Sequence, residues 1–326
     1  MKVVLTMVVR DEEDILDAQL TFHLNAGVDF ILVTDHRSVD GTRDILEGHV
    51  RDGHMRVIRE DRENTRQGEW MTRMARLAAI EHGADWVLNS DADEFWWPHG
   101  GTLRDALAHI PRRYGIVQAV SRYFVPRPYD GGPFAERMTV RLAPGAPIND
   151  PATPFRPVAK VAHRAHPGAI VQDGNHVVQG IGKGSLRGWR PLEILHMPLR
   201  TPAQCARKYE KTWLAWEQNL RGDLARARVL HDEARLDFFY DRVVVDDAAV
   251  ERGLDDGSVV IDTRLRDALR RIADGRSPEF VEPSRGEDAG LARDIATLDE
   301  ADSVRLQRRL DEVRNRVSAI ESRMSS

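Results

Sequence analysis

Within the first hundred residues, short β-branched apolar runs alternate with amphipathic stretches, and this alternation constrains the fold more than any other feature. Val3–Val9 is a nearly continuous apolar run of the kind found in strands buried on both faces of a parallel sheet. Acidic residues at Asp11–Asp14 favour a helix N-terminus, and Ile15, Leu16, Gln19, Leu20, His23 and Leu24 then recur at helical spacing up to Gly27, a plausible C-cap. Phe30–Val33 predicts a second strand. Asp40-Gly41-Thr42 supplies the turn and cap for a helix through Leu46. Met55–Ile58 predicts a third strand, Gln67–His82 a helix closed by Gly83, and Trp86–Leu88 a fourth strand ending at Asn89-Ser90-Asp91. Strand and helix alternate throughout, so the expected class is α/β with a mostly parallel sheet flanked by helices. Ligands of such sheets sit beyond the carboxyl ends of the strands. Asp11, Asp35 and Asp91 each fall just past one, so three carboxylates should converge on one rim.

Residues Tyr114–Glu193 change character. They are rich in Pro and Gly and hold short apolar runs at Ile116–Val120, Thr139–Leu142, Val158–Val161 and Ala169–Val171, which predict mixed or antiparallel strands joined by long loops. Residues 202–236 predict a helix with Trp213, Trp216 and Leu220 on one face. Near the C-terminus, Leu306, Leu310, Val313, Val317, Ile320 and Met324 alternate spacings of four and three. That seam fits either a helix packed on its own domain or a short coiled coil through which two copies would associate. The expected organisation is 1–235 for the main domain (1–100 a nucleotide-binding half, 101–200 an acceptor-side half), 236–290 for a helical and loop extension, and 291–326 for a C-terminal helix.

Composition excludes more than it assigns. A net charge of −5 carries no general nucleic-acid footprint. The only cysteine, Cys205, allows no intrachain disulfide and fits a small buried residue. The first apolar run is too short for a secretory signal, and no segment approaches the length of a membrane span. A cytoplasmic protein, at most peripheral to a membrane, is expected.

The chemistry centres on Asn89-Ser90-Asp91-Ala92-Asp93-Glu94-Phe95-Trp96-Trp97. Two carboxylates one residue apart on a turn after a strand can face one divalent cation, which prefers oxygen ligands and shares them with phosphates. Asp-x-Asp alone is a weak signal, and a solvated acidic turn is the plain reading. Its place after a fourth buried strand, with Asp35 after the second, favours the cation. Trp96 and Trp97 fit either an aromatic platform for a sugar ring or core packing.

Val4–Ile15 (VLTMVVRDEEDI), Val33–Leu46 (VTDHRSVDGTRDIL) and Leu88–Phe95 (LNSDADEF) resemble three successive motifs of glycosyltransferase family 2-like enzymes, which have the GT-A fold. The resemblance covers about the first hundred residues, weakens in the middle and ends near residue 235. It implies a GT-A-type Rossmann-like sheet and a metal-dependent glycosyltransferase. Such an enzyme moves a sugar, with inversion, from a nucleoside-diphosphate donor to the hydroxyl of a glycan or other acceptor, with Mn²⁺ or Mg²⁺ as cofactor. By this resemblance Asp35 holds the base or ribose, Asp91 lies near the ribose or metal, and Asp93 ligates the metal. Asp11-Glu12 stands where the family usually has Asn-Glu. His196, in Leu192–Thr201, looks like the late histidine that many GT-A enzymes use as a third metal ligand, although a histidine hydrogen-bonded in the core fits the same position. Arg200 and Lys208 follow and can meet the diphosphate; for Lys208 a solvated helix charge is the plainer reading. An inverting transfer also needs a proton acceptor. Asp173 and His176, in the polar turn Asp173-Gly174-Asn175-His176, are the candidates, with a plain turn as the alternative and Glu94 as another option; Lys160 and His163 can line the pocket.

Other classes remain. A nucleotidyltransferase would use the same sheet and carboxylates but normally shows a glycine-rich phosphate loop after the first strand, where this chain has Arg10-Asp11-Glu12-Glu13. A dinucleotide-binding dehydrogenase fails on the same missing glycines. A metal-dependent phosphoester hydrolase and a catalytically inactive transferase-like scaffold complete the alternatives.

Overall fold

The structure, a computed structural model, describes residues 1–143, 158–187, 189–208, 240–241 and 243–280. The expected helix with Trp213, Trp216 and Leu220 and the heptad seam at 306–324 lie outside the described residues. The first half follows the sequence pattern: β1 (Val3–Val9), α1 (Leu16–Asn25), β2 (Phe30–Asp35), α2 (Thr42–Arg51), β3 (Met55–Arg59), α3 (Gln67–Ile80) and β4 (Trp86–Ser90). β1 lies between β2 and β4, parallel to both, and β3 continues the parallel array beyond β2. The residues of β1, β2 and β4 are almost all buried, because helices cover both sheet faces; that is why these strands read as unbroken apolar runs.

One expected boundary moves. Asp11–Asp14 do not open α1, which begins at Leu16. Asp11 takes a left-handed backbone (φ 54°) and is fastened to the loop after β2: its N–H donates to Ser38 Oγ (3.1 Å), and its Oδ1 accepts from Val39 N (2.7 Å). Tertiary hydrogen bonds thus hold Asp11 out of the helix at the strand end, while Leu16 N donates to Glu12 O (3.0 Å) and residues 12–15 form the turn that leads into α1.

The second half adds β5 (Glu94–Pro98), β6 (Tyr114–Tyr123), β8 (Ala159–Arg164), β11 (Gly184–Ser185) and β12 (Leu192–His196) to the same sheet. The order is β3-β2-β1-β4-β8-β6-β12-β5, with β11 on β6. β8 runs antiparallel to β4 and β6, and β5 antiparallel to β12. Two strands therefore enter the sheet at the edge where the parallel strands leave it. The ends of β1, β2, β4, β6 and β12 meet the beginnings of β5 and β8 on one rim. Asn89, fully buried, pins this join: it accepts from Thr6 Oγ1 (3.0 Å) and donates to Val161 O (3.0 Å), linking β1, β4 and β8. The expected class, α/β with a mostly parallel sheet between helices, is what the structure shows.

Trp96 and Trp97 belong to the core. Both are fully buried on β5, with Trp97 stacked on Phe22 (6.0 Å) and edge-on to Phe280 (5.0 Å), so neither is open to a sugar ring. Part of the 236–290 stretch joins the same body. It forms α6 (Asp247–Asp256), β13 (Val259–Ile261) and α7 (Arg264–Ala273). β13 pairs with β7 (Val140–Leu142), and Leu265 and Ala268 of α7 enter the main core. A buried ion network anchors α7. Glu193 meets Arg122 (3.2 Å) and Arg264 (2.5 Å), while Asp262 meets Arg141 (2.6 Å) and Arg264 (2.7 Å).

Two buried histidines link this packing to pH. Burial pushes the imidazoles of His23 and His163 down to about 4. His23 Nδ1 donates to Gln19 O (2.8 Å) and its Nε2 accepts from Trp96 N (3.1 Å), so the neutral ring is built into the core. Unfolded histidines titrate near 6.5, so between about pH 4 and 6.5 the unfolded chain binds more protons. The stability contribution is complete above about pH 6.5 and is lost as pH falls, by about 2 kcal/mol per histidine between about pH 7.5 and 5. In urea titrations at those two pH values, His163→Leu is expected to lose about that much less than the wild type. Equal pH dependence in the two proteins rules out a buried neutral His163.

Candidate functional site

The rim gathers the acidic residues in two linked groups. Asp91 directly follows β4. Its Oδ2 meets the Lys160 ammonium (2.5 Å), and its Oδ1 accepts from Gln67 Nε2 (3.0 Å) and Asn175 Nδ2 (3.0 Å). Glu94 opens β5 fully buried; it takes the Asp91 N–H (3.0 Å) and pairs with Lys160 at 3.1 Å. Lys160 comes from the second position of β8, so the antiparallel strand delivers a cation between two carboxylates from β4 and β5. Burial alone would lower its pKa, but Asp91 and Glu94 together hold the ammonium well above its ordinary value. Glu94 remains pushed up, since burial outweighs Lys160.

Asp93 heads the second group. Its Oδ1 lies 3.3 Å from His196 Nε2, its Oδ2 accepts from Lys208 Nζ (2.6 Å), and Arg200 stands 4.0 Å away. Against burial, which would raise it, Lys208, His196 and Arg200 hold the Asp93 carboxyl well below the usual carboxylate range. The His196 ring packs on Tyr123 (4.7 Å), at the end of β6. Arg200 is completely buried: its guanidinium grips Asp14 (2.7 and 2.9 Å) and Glu12 (2.6 Å) and donates to Met197 O (3.1 Å). This contact ties the segment after β12 to the loop after β1. Glu12 is pushed up by burial despite Arg200. Around the rim, five carboxylates (Glu12, Asp14, Asp91, Asp93 and Glu94) thus share three permanent cations, Lys160, Arg200 and Lys208.

Asp35, at the end of β2, accepts from Ser38 N (3.1 Å) and pairs with Arg43 (3.0 Å). It borders a groove between α2 and β3, lined also by Leu46, Val50 and Val57. Ser38 links it to Asp11, so these two carboxylates share one loop. Asp173 and His176 sit on the tip of the hairpin β9 (Ile170–Val171) and β10 (Val178–Gln179). Asp173 accepts from Gly68 N (2.7 Å), which makes it a cap for the start of α3. His176 Nδ1 donates to Ala159 O (2.8 Å), assigning the lone pair to Nε2; a Cβ on Gly174 would lie 2.7 Å from the His176 ring. The intervening Asn175 reaches Asp91, so the turn abuts the rim. His163 does not: it pairs with Val87 and Ile116 in mid-sheet, inside the core.

The structure thus brings Asp93 and His196 together, with Arg200 behind them, while Asp91 turns to Lys160, Gln67 and Asn175 and does not complete the expected metal set of Asp91, Asp93 and His196. Two right-angle ligands on a cation with bonds of about 2.1 Å stand about 3 Å apart, so Asp93 and His196 suit adjacent vertices of one ion. Among the described residues no group of three His, Cys, Asp or Glu side chains could hold a metal. Such a two-donor site fits a cation completed by phosphate oxygens and water. Glu12, Asp14, Gln67 and Asn175 were not singled out from the sequence. Lys160 was, as a pocket-lining residue, but not as the counter-charge of Asp91; a lysine inside the apolar run Val158–Ala162 is the signal for that role, since a buried ammonium requires an acid beside it.

No family model matches the sequence, and no curated protein matches it. Solved structures do align with it. Staphylococcus aureus TarS in complex with UDP-GlcNAc is similar over 78% of this chain and 73% of its own, at 15% identity and a TM-score of 0.33. A mannosyltransferase, PcManGT from Pyrobaculum calidifontis, with GDP-Man and Mn²⁺, covers 78% and 75% at 16% identity and a TM-score of 0.35. Glucosyl-3-phosphoglycerate synthase from Mycobacterium tuberculosis covers 41% and 45% at 20% identity and a TM-score of 0.27. With TM-scores in this range, any functional reading rests on the geometry of the rim.

Removing the shared cation tests that geometry. Lys160→Met leaves Asp91 and Glu94 side by side with no ammonium between them, at an expected cost of about 3 kcal/mol. Because the folded-state pKa of Glu94 then rises further, the cost is largest at alkaline pH and shrinks as pH falls and Glu94 takes up a proton. Urea titrations at pH 8 and 5.5 measure both values, and wild-type stability at pH 8 would contradict the pairing.

Proposed function

We propose that this chain is a glycosyltransferase of the GT-A type, moving a sugar from a nucleoside-diphosphate donor to an acceptor hydroxyl with inversion. The observation that carries the reading is the pairing of Asp93 with His196 at the strand-end rim, the rim onto which Asp91 at the end of β4 and Asp35 at the end of β2 also open. Asp93 and His196 would hold Mn²⁺ or Mg²⁺, and Asp91, the other acid of the motif, would serve the donor side of the same rim. The bound cation supplies neutralisation of the charge that builds on the leaving diphosphate. Asp35, whose carboxylate retains acceptor capacity beyond Ser38 and Arg43, takes the nucleoside hydroxyls, and Asp11 fixes the loop that presents it. Arg200 acts from behind, holding the β12 end against the β1 loop.

On the acceptor side, His176 takes the hydroxyl proton at Nε2, the atom its hydrogen bond to Ala159 leaves with the lone pair. Asp173 holds that turn on α3. Direct displacement with a single base inverts the anomeric centre. The acceptor is a hydroxyl of a glycan or comparable molecule.

The test is a panel of nucleotide-sugar donors with Mn²⁺, assayed for transfer. Asp93→Ala is expected to lose transfer by at least about 100-fold with the fold retained. Asp35→Ala is expected to raise the donor KM with little change in kcat. His176→Ala is expected to lower kcat by roughly 100-fold or more while donor affinity stays. Near-normal turnover by Asp93→Ala would remove the cation from the scheme, and an unchanged donor KM would remove Asp35.

A further inference from the structure

The three cations on the rim are not equivalent. Lys160 rises from the middle of the sheet with its side chain 5% exposed, and Arg200 is completely enclosed by Glu12 and Asp14. Lys208 differs. It is the last described residue of the helical segment that starts at 202, reaches back to donate to Asp93 Oδ2 (2.6 Å) and Pro198 O (3.2 Å), and keeps 39% of its side chain exposed. Its position resembled an ordinary solvated helix charge in the sequence, yet its ammonium sits on the carboxylate that the proposed cation needs. A lysine ammonium is a compact point charge on a flexible four-carbon stem, so it can leave Asp93 without moving the backbone. Arg200, held by carboxylates on two sides, cannot.

We propose that Lys208 is a built-in competitor for the cation: its ammonium occupies Asp93 in the unloaded protein and is displaced when the divalent ion binds. This rests on the Asp93–His196 assignment above. A divalent ion held by Asp93 and an ammonium on the same carboxylate would repel each other at a few ångströms in a partly buried site, so the two states would exclude one another. The displaced ammonium stays tethered beside the ion, where it meets an anionic ligand of that ion. Bare metal therefore binds weakly, and the site loads when metal and diphosphate arrive together. Lys208 is a positioning group that delays loading, while Lys160 is a fixed part of the fold.

The experiment is a Mn²⁺ titration of the full chain without nucleotide, following free Mn²⁺ by electron paramagnetic resonance. Lys208→Met is expected to bind Mn²⁺ roughly tenfold more tightly than the wild type, the equivalent of losing one charge-assisted hydrogen bond. Lys208→Arg, which keeps a cation in place, is expected to stay near the wild type. Lys2→Met makes the same charge change at the opposite end of β1 and is expected to leave the affinity unchanged. Lys208→Gln repeats the test in a polar background, with circular dichroism as the check on folding. Equal or weaker Mn²⁺ binding by Lys208→Met and Lys208→Gln overturns the competition while leaving the metal site standing. Equal tightening by Lys2→Met reduces it to a general charge effect and also overturns it. If the wild type and Asp93→Ala bind Mn²⁺ alike, the underlying metal assignment fails.

Discussion

The rim of this sheet is organised by the cost of burying negative charge. Five carboxylates crowd the strand ends with three permanent cations among them, and each cation arrives from a different part of the chain. Carboxylates withdrawn from water without partners would destabilise the fold by several kcal/mol each or take up protons. Glu12 and Glu94 lean toward the second outcome, since burial holds both above their ordinary range.

Topology makes this crowding possible. In a purely parallel sheet only strand ends would reach the rim. Here β8 and β5 run the other way, so Lys160, near the start of β8, and Glu94, the first residue of β5, reach the rim where β4 and β12 end. Asn89 holds the central join, and Arg200 closes the outer side by clasping the β1 loop. The hairpin carrying Asp173 and His176 is fastened to α3 through Gly68 and Thr72, which brings Asn175 onto Asp91. Each fastening contact is a tertiary hydrogen bond between segments far apart in sequence.

The C-terminal segment gives the same sheet a second anchor. Glu193 and Asp262 are bracketed by Arg122, Arg141 and Arg264, and Arg264 also lies over Trp97 at 5.3 Å. Against burial, which would raise both carboxyls, the arginines hold Glu193 and Asp262 below their ordinary range. The aromatic pair on β5 is sealed by Phe280 and α7, so the acidic motif just before it is mounted on a rigid edge. Opening Trp96 or Trp97 to a ligand would require dismantling that edge.

Local pattern was enough for the α/β class, the four parallel strands and the positions of Asp11, Asp35 and Asp91 past their ends. Apolar runs of strand length and helical periodicity are nearest-neighbour properties that survive without tertiary context. The start of α1 was misplaced because Asp11 forgoes a helical role for hydrogen bonds to Ser38 and Val39, far along the chain. The roles of Trp96, Trp97 and Asp173 were equally illegible, since an aromatic or a turn acid reads the same whether it faces ligand, core or a helix end. Which cation answers which carboxylate belongs to the tertiary structure alone. Lys160 meets Asp91 across 69 residues and Lys208 meets Asp93 across 115, and no local rule connects charges at such separations until the sheet has closed around them.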